Sequence, residues 1–183
     1  GEMITFIEVD EIVKSRTYTP ICFFTLPIPN KKNIDIYDCL HLFTEKEELT
    51  GDNKWYNDED KKYYDAYKKT VFWKLPSVII ISFKRFNNMG MKINNLIKFP
   101  VTNLDLTKYC IGYDKHKSFY NLTGICNHIG GTQGGHYYSY CKNKNNKWYE
   151  FNDETVSEIN VDNIITKNAY CLFYKKINNT LIK

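Results

Sequence analysis

Two aromatic runs, residues 137–142 (YYSYCK) and 147–151 (KWYEF), flank the polar run 143–146 (NKNN), and this pattern commits the middle of the chain to a β-hairpin. The hairpin sits in a longer stretch, residues 127–156, which holds a glycine-rich loop, a histidine opening an aromatic strand, and a second aromatic strand closing on Asn152 and Asp153. If Lys142 pairs with Lys147 across the turn, His136 lies across from Asp153, or from Asn152 if the register slips by one. Facing residues on paired strands have Cβ atoms about 4.5–5.5 Å apart. The imidazole is therefore expected beside a side-chain oxygen that accepts its Nδ1 hydrogen. That contact fixes the tautomer and aims the other ring nitrogen outward, the general-base half of a catalytic triad. The same residues also suit a satisfied polar pair with no catalytic role. Gly130, Gly131, Gly134 and Gly135 permit left-handed backbone and the close approach of another chain, so the loop suits a gate or a substrate clamp.

With 183 residues, 43% of them hydrophobic and 16% aromatic, the chain can bury a sizeable core and reads as one domain over residues 1–183. The net charge of +4 is spread over mixed Lys and Asp/Glu, with no block long enough for a nucleic-acid arm. Lys68, Lys69, Phe72, Trp73 and Lys74 mix basic and aromatic side chains, but alternating aromatics mark a strand packed on a core. No nucleic acid is expected as a partner. The longest uninterrupted apolar run, residues 169–174, is too short to span a bilayer, so no membrane is expected either. None of the six cysteines, Cys22, Cys39, Cys110, Cys126, Cys141 and Cys171, forms a C-x-x-C pair. Most have apolar or aromatic neighbours, which suggests free thiols in a reducing, intracellular compartment, cytoplasmic or nuclear. The Gly1-Glu2-Met3 start reads as an expression remnant, so the natural chain is expected to extend upstream.

Along the chain, a strand is expected over residues 18–26, closed by Pro27 and Pro29. A helix follows over residues 35–43, capped by Asn33 or Asp35, with Ile36, Cys39, Leu40 and Phe43 on one face and His41 on the surface. Residues 45–48 read as an acidic turn, Gly51-Asp52-Asn53 as a break, and residues 55–67 lack clean periodicity. Further strands are expected over residues 70–73, 78–83, 95–99, 118–125 and 169–174, with one or two helical turns in 161–166. The β-branched run 78–83 reads as central and buried on both faces. His116, between Lys115 and Lys117, reads as solvated.

Several short motifs then fall in a recognisable order. They are Leu26-Pro27-Ile28-Pro29, residues 38–43 (DCLHLF) with 48–51 (ELTG), Lys74-Leu75-Pro76, residues 83–86 (FKRF), Phe99-Pro100 and Leu104-Asp105-Leu106. Asn127-His128, Gly134-Gly135-His136-Tyr137, residues 148–156 (WYEFNDETV) and 169–174 (AYCLFY) complete the series. In these motifs residues 26–175 resemble the C-terminal part of the catalytic domain of the ubiquitin-specific proteases, the papain-like deubiquitinases. The resemblance implies an α+β fold, the palm and fingers portion, mainly antiparallel sheet with few short helices. It implies a thiolate that attacks the carbonyl after ubiquitin's C-terminal glycine, with ubiquitin and ubiquitinated proteins as partners. His136 would be the general base and acid and Asn152 its orienting partner, which favours the one-residue slip, with Asp153 as a supporting polar group. The loop 129–135 and the segment after Phe86 would flank the ubiquitin tail, placing Phe86, His128, Gly134, Gly135 and Tyr137 against it. His128 suits a structural hydrogen bond equally well.

Two departures from the family pattern carry expectations of their own. The family's nucleophile lies in a G-N-T-C-[YF] box, and none of the six cysteines has that setting. The thumb with its cysteine is thus expected from an upstream segment of the same protein, and this chain alone is expected to be inactive. The family often carries two C-x-x-C pairs for a structural zinc. After Trp55-Tyr56 this chain has Asn57 and Asp60 instead, so neither metal nor cofactor is expected, and the fingers are held by packing. The alternative is a catalytically inactive, ubiquitin-binding pseudo-protease or scaffold.

Overall fold

The computed structural model of the protein describes residues 1–113 and 118–177; the expectation for His116 lies outside the described residues. β1 (Glu2–Val9) and β2 (Ile12–Pro20) form a hairpin whose turn residues Asp10 and Glu11 have φ of 50° and 63°, the doubly left-handed geometry of a type I′ turn. Glu2 and Met3 are built into this sheet, Glu2 opposite both Pro20 and Lys74. The strand foreseen over 18–26 is divided. Pro20, with no N–H to donate, ends β2, and β3 (Phe23–Leu26) enters another sheet. Between them Ile21 N–H donates to the Gly1 carbonyl, while the Cys22 carbonyl accepts from Ile80 N–H.

β4 (Ile34–Asp35) leads into α1 (Ile36–Thr44). Asp35 caps the helix by accepting from Asp38 N–H at 3.0 Å, and Asp38 reciprocates on Asp35 N–H at 2.9 Å. That backbone N–H, and then the Lys31 ammonium, hold the Asp38 carboxyl below its ordinary range. β5 (Glu47–Leu49) replaces the expected acidic turn, because Glu47 and Leu49 pair with Lys68 and Ala66. A 3-10 turn (Gly51–Asn53), β6 (Trp55–Asn57), β7 (Lys62–Tyr64) and β8 (Ala66–Lys74) follow, then β9 (Val78–Phe83), β10 (Ile97–Lys98) and β11 (Leu104–Asp105). After the 3-10 turn Thr107–Tyr109 come β12 (Phe119–Gly131), β13 (Gly134–Lys142), β14 (Trp148–Asn152) and β15 (Thr155–Ile159). One more 3-10 turn (Val161–Asn163) precedes β16 (Ala169–Lys176).

The main sheet runs β15-β14-β13-β12-β16-β9-β3, with β11 paired on β12; its neighbours are antiparallel except β3 and β9. A second, wholly antiparallel sheet runs β2-β1-β8-β5. One large core lies between the main sheet and α1, where Phe24 meets Phe43 and Phe72 with ring centroids 5.5 and 4.9 Å apart. A small core of Ile7, Val9 and Ala66, packed by Leu49, Trp55 and Tyr64, serves the second sheet. β9 is an inner strand but not the central one expected, lying next to the edge strand β3, and only one of its faces is fully buried: Ile79, Ile81 and Phe83 point into the core, whereas Val78 is 49% exposed. Under it the guanidinium of Arg85 donates to the carbonyls of Ala169 (2.7 Å), Ile93 (2.9 Å) and Asn95 (3.1 Å). Burial pulls Arg85 down to about 10, which leaves it charged at neutral pH.

Candidate active site

The aromatic hairpin forms as expected, with its register moved the other way. Lys142 faces Trp148, and Ser139 faces Phe151. The cause is Asn146, whose φ of 62° adds a left-handed residue to the turn, closed by Asn146 N–H to the Asn143 carbonyl (3.0 Å) and Asn143 N–H to the Lys147 carbonyl (2.9 Å). This is a three-residue loop of the bulged kind. The ladder stops at Ser139 and Phe151, so His136 faces neither Asn152 nor Asp153 squarely. Beyond it β14 turns back into β15 through Asp153 (φ 52°) and Glu154, with Asn152 opposite Thr155. The side chains of His136 and Asn152 meet across that corner.

His136 and Asn152 are joined by one short bond, Nε2 to Oδ1 at 2.6 Å. The ring nitrogen involved is Nε2 and not the expected Nδ1; strand pairing brings the two residues together, but the rotamer decides which nitrogen bonds. Asp153 approaches the same nitrogen, Oδ2 at 3.9 Å. Nδ1 has no hydrogen bond among the described residues and belongs to an exposed side chain. An imidazole held this way donates its Nε2 hydrogen to the amide and keeps the lone pair of Nδ1 free for an incoming proton.

The glycine-rich segment is less a loop than the tip of two strands. Ile129 faces His136, Gly130 faces Gly135, and Gly131 faces Gly134 across a two-residue turn. Only Gly130 among these four is left-handed, at φ 110°. Gly135 is required for a different reason: a Cβ there would lie 2.3 Å from His128 Nε2 and 2.6 Å from the Ile129 carbonyl. His128, 3% exposed, is the floor under this tip. Its ring meets Tyr137 at 4.5 Å, Tyr170 at 5.7 Å and Phe86 at 5.9 Å between centroids, while Lys92 Nζ donates to its carbonyl at 2.6 Å. Burial, and then Lys92, hold His128 below the ordinary imidazole range, so it is neutral at neutral pH. The structure thus gathers Phe86, His128 and Tyr137 into one aromatic cluster beside Gly134 and Gly135, with Tyr137 56% exposed. Tyr170 belongs to the same cluster; it stands in the closing motif 169–174, which does not show its place beside His128. It sits at a register shift, where Cys126 pairs with Cys171 and Asn127 with Ala169, which spacing does not reveal.

No cysteine hydrogen-bonds to His136 among the described residues, and all six are free thiols. Burial pushes Cys39 up to about 12 and Cys171 up to about 11, and raises Cys126 as well; these are protonated, unreactive thiols at neutral pH. Cys126 and Cys141 lie on the face of the sheet opposite His136, since strand side chains alternate and Cys126 pairs with Ser139. At the β6–β7 turn, Asn57 Oδ1 accepts from Glu59 N–H (3.1 Å) and the Asp60 carboxylate from Tyr64 Oη (2.5 Å). Both donors a zinc ion would need are engaged, and no cluster of three or more His, Cys, Asp or Glu stands with them among the described residues. This donor set does not fit a zinc site. Among the same residues no helix is long and apolar enough to cross a membrane.

The sequence profile of the family described as ubiquitin carboxyl-terminal hydrolase matches residues 7–174. Human ubiquitin carboxyl-terminal hydrolase 15 is 40% identical over 152 residues, which cover 81% of this chain and 16% of that protein. Human ubiquitin carboxyl-terminal hydrolase 19 is 38% identical over 154 residues, 77% of this chain and 12% of that protein. The chain thus spans less than a fifth of the length of these relatives. In the solved SAGA Ubp8/Sgf11/Sus1/Sgf73 DUB module bound to ubiquitin aldehyde, a chain 32% identical superposes with a TM-score of 0.81, covering 97% of this chain and 41% of that one. With the papain-like palm, the order of its motifs and the histidine hairpin all agreeing, the chain is a member of the ubiquitin-specific proteases within the ubiquitin carboxyl-terminal hydrolase family.

Proposed function

We propose that residues 1–183 are the palm and fingers part of a thiol-dependent deubiquitinase that cleaves the peptide or isopeptide bond after ubiquitin's C-terminal glycine. One observation carries the proposal: His136 is anchored through Nε2 on Asn152 at 2.6 Å, leaving Nδ1 free. The nucleophile comes from a preceding segment of the same protein. Nδ1 takes the proton of that thiol, and the thiolate adds to the glycine carbonyl. As the C–N bond breaks, the imidazolium returns the proton to the leaving amine and a thioester remains. Water then attacks, deprotonated by the same Nδ1, and the thiol leaves as ubiquitin's carboxylate is released. General acid–base help of this kind contributes about 10² to 10⁴ in rate. Asn152 orients the ring and Asp153 adds a nearby negative charge, since a neutral amide stabilises imidazolium less than a carboxylate does. Gly134, Gly135, Phe86 and Tyr137 form the wall for the ubiquitin tail, with His128 packed beneath them. Reduced thiols suit work inside the cell, in cytoplasm or nucleus.

Support comes from relatives named as ubiquitin carboxyl-terminal hydrolases and from a structural neighbour bound to ubiquitin aldehyde. The second reading is a ubiquitin-binding pseudo-protease, which keeps the same wall for ubiquitin but lacks a preceding cysteine. The deciding experiment treats a longer piece of the protein, including the preceding residues, with ubiquitin carrying a C-terminal electrophile, followed by intact mass. An adduct that disappears on mutating a preceding cysteine supports the thiol enzyme. Reversible ubiquitin binding with no adduct overturns it in favour of the pseudo-protease.

A further inference from the structure

An asparagine that orients an imidazole faces a choice that an aspartate does not. A carboxylate offers two like oxygens, but an amide has an oxygen at one end and a donor NH2 at the other, and only the oxygen can accept from Nε2–H. Turning the Asn152 amide by half a turn would set its NH2 against Nε2. That nitrogen would then have to accept, the ring hydrogen would move to Nδ1, and the outward nitrogen could no longer take a thiol's proton. Something must choose the end.

Among the described residues, one group next to Asn152 is able to do so. Asn152 Nδ2 donates to Glu150 Oε1 at 3.4 Å while Asn152 Oδ1 accepts from His136 at 2.6 Å. Glu150 and Asn152 are two apart on β14 and so share a face, with Tyr140 and Ser157 as the ladder neighbours of Glu150. An ionised carboxylate only accepts, so it holds the amide with NH2 inward and oxygen toward the imidazole. Other groups near the ring do not make this choice. Asp153 lies 3.9 Å from the same Nε2, Tyr138 presents only its stacked ring, and the facing residue on β12 is the apolar Ile129.

We infer that Glu150 is a positioning residue, which sets the Asn152 amide and through it the tautomer of His136. The catalytic meaning of this device rests on reading His136 as the base; its geometry does not.

The test reads the tautomer directly. Histidine side chains of the 183-residue chain are labelled with ¹⁵N and observed at a pH where the rings are neutral, with His136 assigned from a His136→Gln variant. In the unaltered chain His136 should carry its hydrogen on Nε2. In Glu150→Ala it should divide between both tautomers, and the Asn152 side-chain amide should exchange faster with solvent. Glu150→Gln, whose amide oxygen can accept the same hydrogen, should restore most of the original ratio. With Asn152→Asp, whose two oxygens are alike, Glu150→Ala should change nothing. The series is repeated with Asp153→Asn, so that no second carboxylate holds the hydrogen in place, and backbone amide spectra report folding of each variant. A His136 tautomer ratio unmoved by Glu150→Ala in both backgrounds overturns the inference. In the longer enzyme, Glu150→Ala should lower kcat by about two- to tenfold with KM unchanged. A moved tautomer with full kcat would sink His136 as base and leave the positioning by Glu150 standing.

Discussion

His128 and Gly135 show how closely single residues are matched at this site. The unfolded chain protonates His128 at the ordinary imidazole range, whereas the folded chain resists because the ring is buried and Lys92 lies beside it. In that window the unfolded state binds more protons, so stability is complete above it and declines as the pH falls through it. Urea midpoints measured from about pH 7.5 down to 5.5 should therefore drop, and drop less in His128→Phe. A parallel decline in both proteins would remove His128 as the cause. Gly135→Ala should cost about 1–3 kcal/mol by urea titration, because its Cβ would enter the space of the His128 ring. The nearness of His136 to Asn152 and Asp153 was legible from spacing, but the choice of Asn152 came only from the resemblance. The bonded nitrogen was not legible, because it depends on a rotamer, and neither was the burial of His128, which depends on Phe86 and Tyr170 from distant parts of the chain.

Among the elements, the β13–β14 hairpin depends on one backbone conformation. Asn146 sits at φ 62°, a region that asparagine tolerates and a β-branched residue does not. Asn146→Val should destabilise the protein by about 1–2 kcal/mol and loosen the pairing of Lys142 with Trp148, seen as lost cross-strand nuclear Overhauser contacts. Asn146→Gly should preserve both. Spacing marks residues 143–146 as the turn but does not show that Asn146 is left-handed, and a single residue of register follows from that. α1 was legible because its capping box and its apolar spacing coincide. β1 and β2 were not: β2 is mostly exposed, and β1 carries a bulge between Ile7 and Glu8 that breaks its alternation. The short β5, β6 and β7 were hidden for a related reason, as they bury too little to impose a pattern.

For the molecule as a whole, the part of the main sheet made by β3, β9 and β16 is covered on one side only. On the other side Phe23 is 60% exposed and Val78 49%, and with Ile80, Cys171 and Phe173 they extend an apolar surface across β3, β9 and β16. Such a face favours association. The 183-residue chain should show a mass above 21.7 kDa by light scattering as its concentration rises, and Phe23→Ser with Val78→Thr should reduce it. A monomer at every concentration would show that this face is satisfied without a neighbour. On the proposed reading, in which a preceding segment supplies the thiol, the same chain should not hydrolyse ubiquitin substrates.

The place of β16 has a consequence for how such a protein is made. It is the last of the described strands but lies between β12 and β9, in the middle of the main sheet. While the protein is still emerging from the ribosome, β3 with β9 and β11 through β15 exist as two separate flaps, each with a raw strand edge. Pairings this distant in sequence close slowly, and the gap can be filled only when residues 169–176 are free. A premature stop just before Ala169 would therefore do more than trim an edge. It would leave two sticky halves where the finished protein has its centre, a product for quality control to destroy.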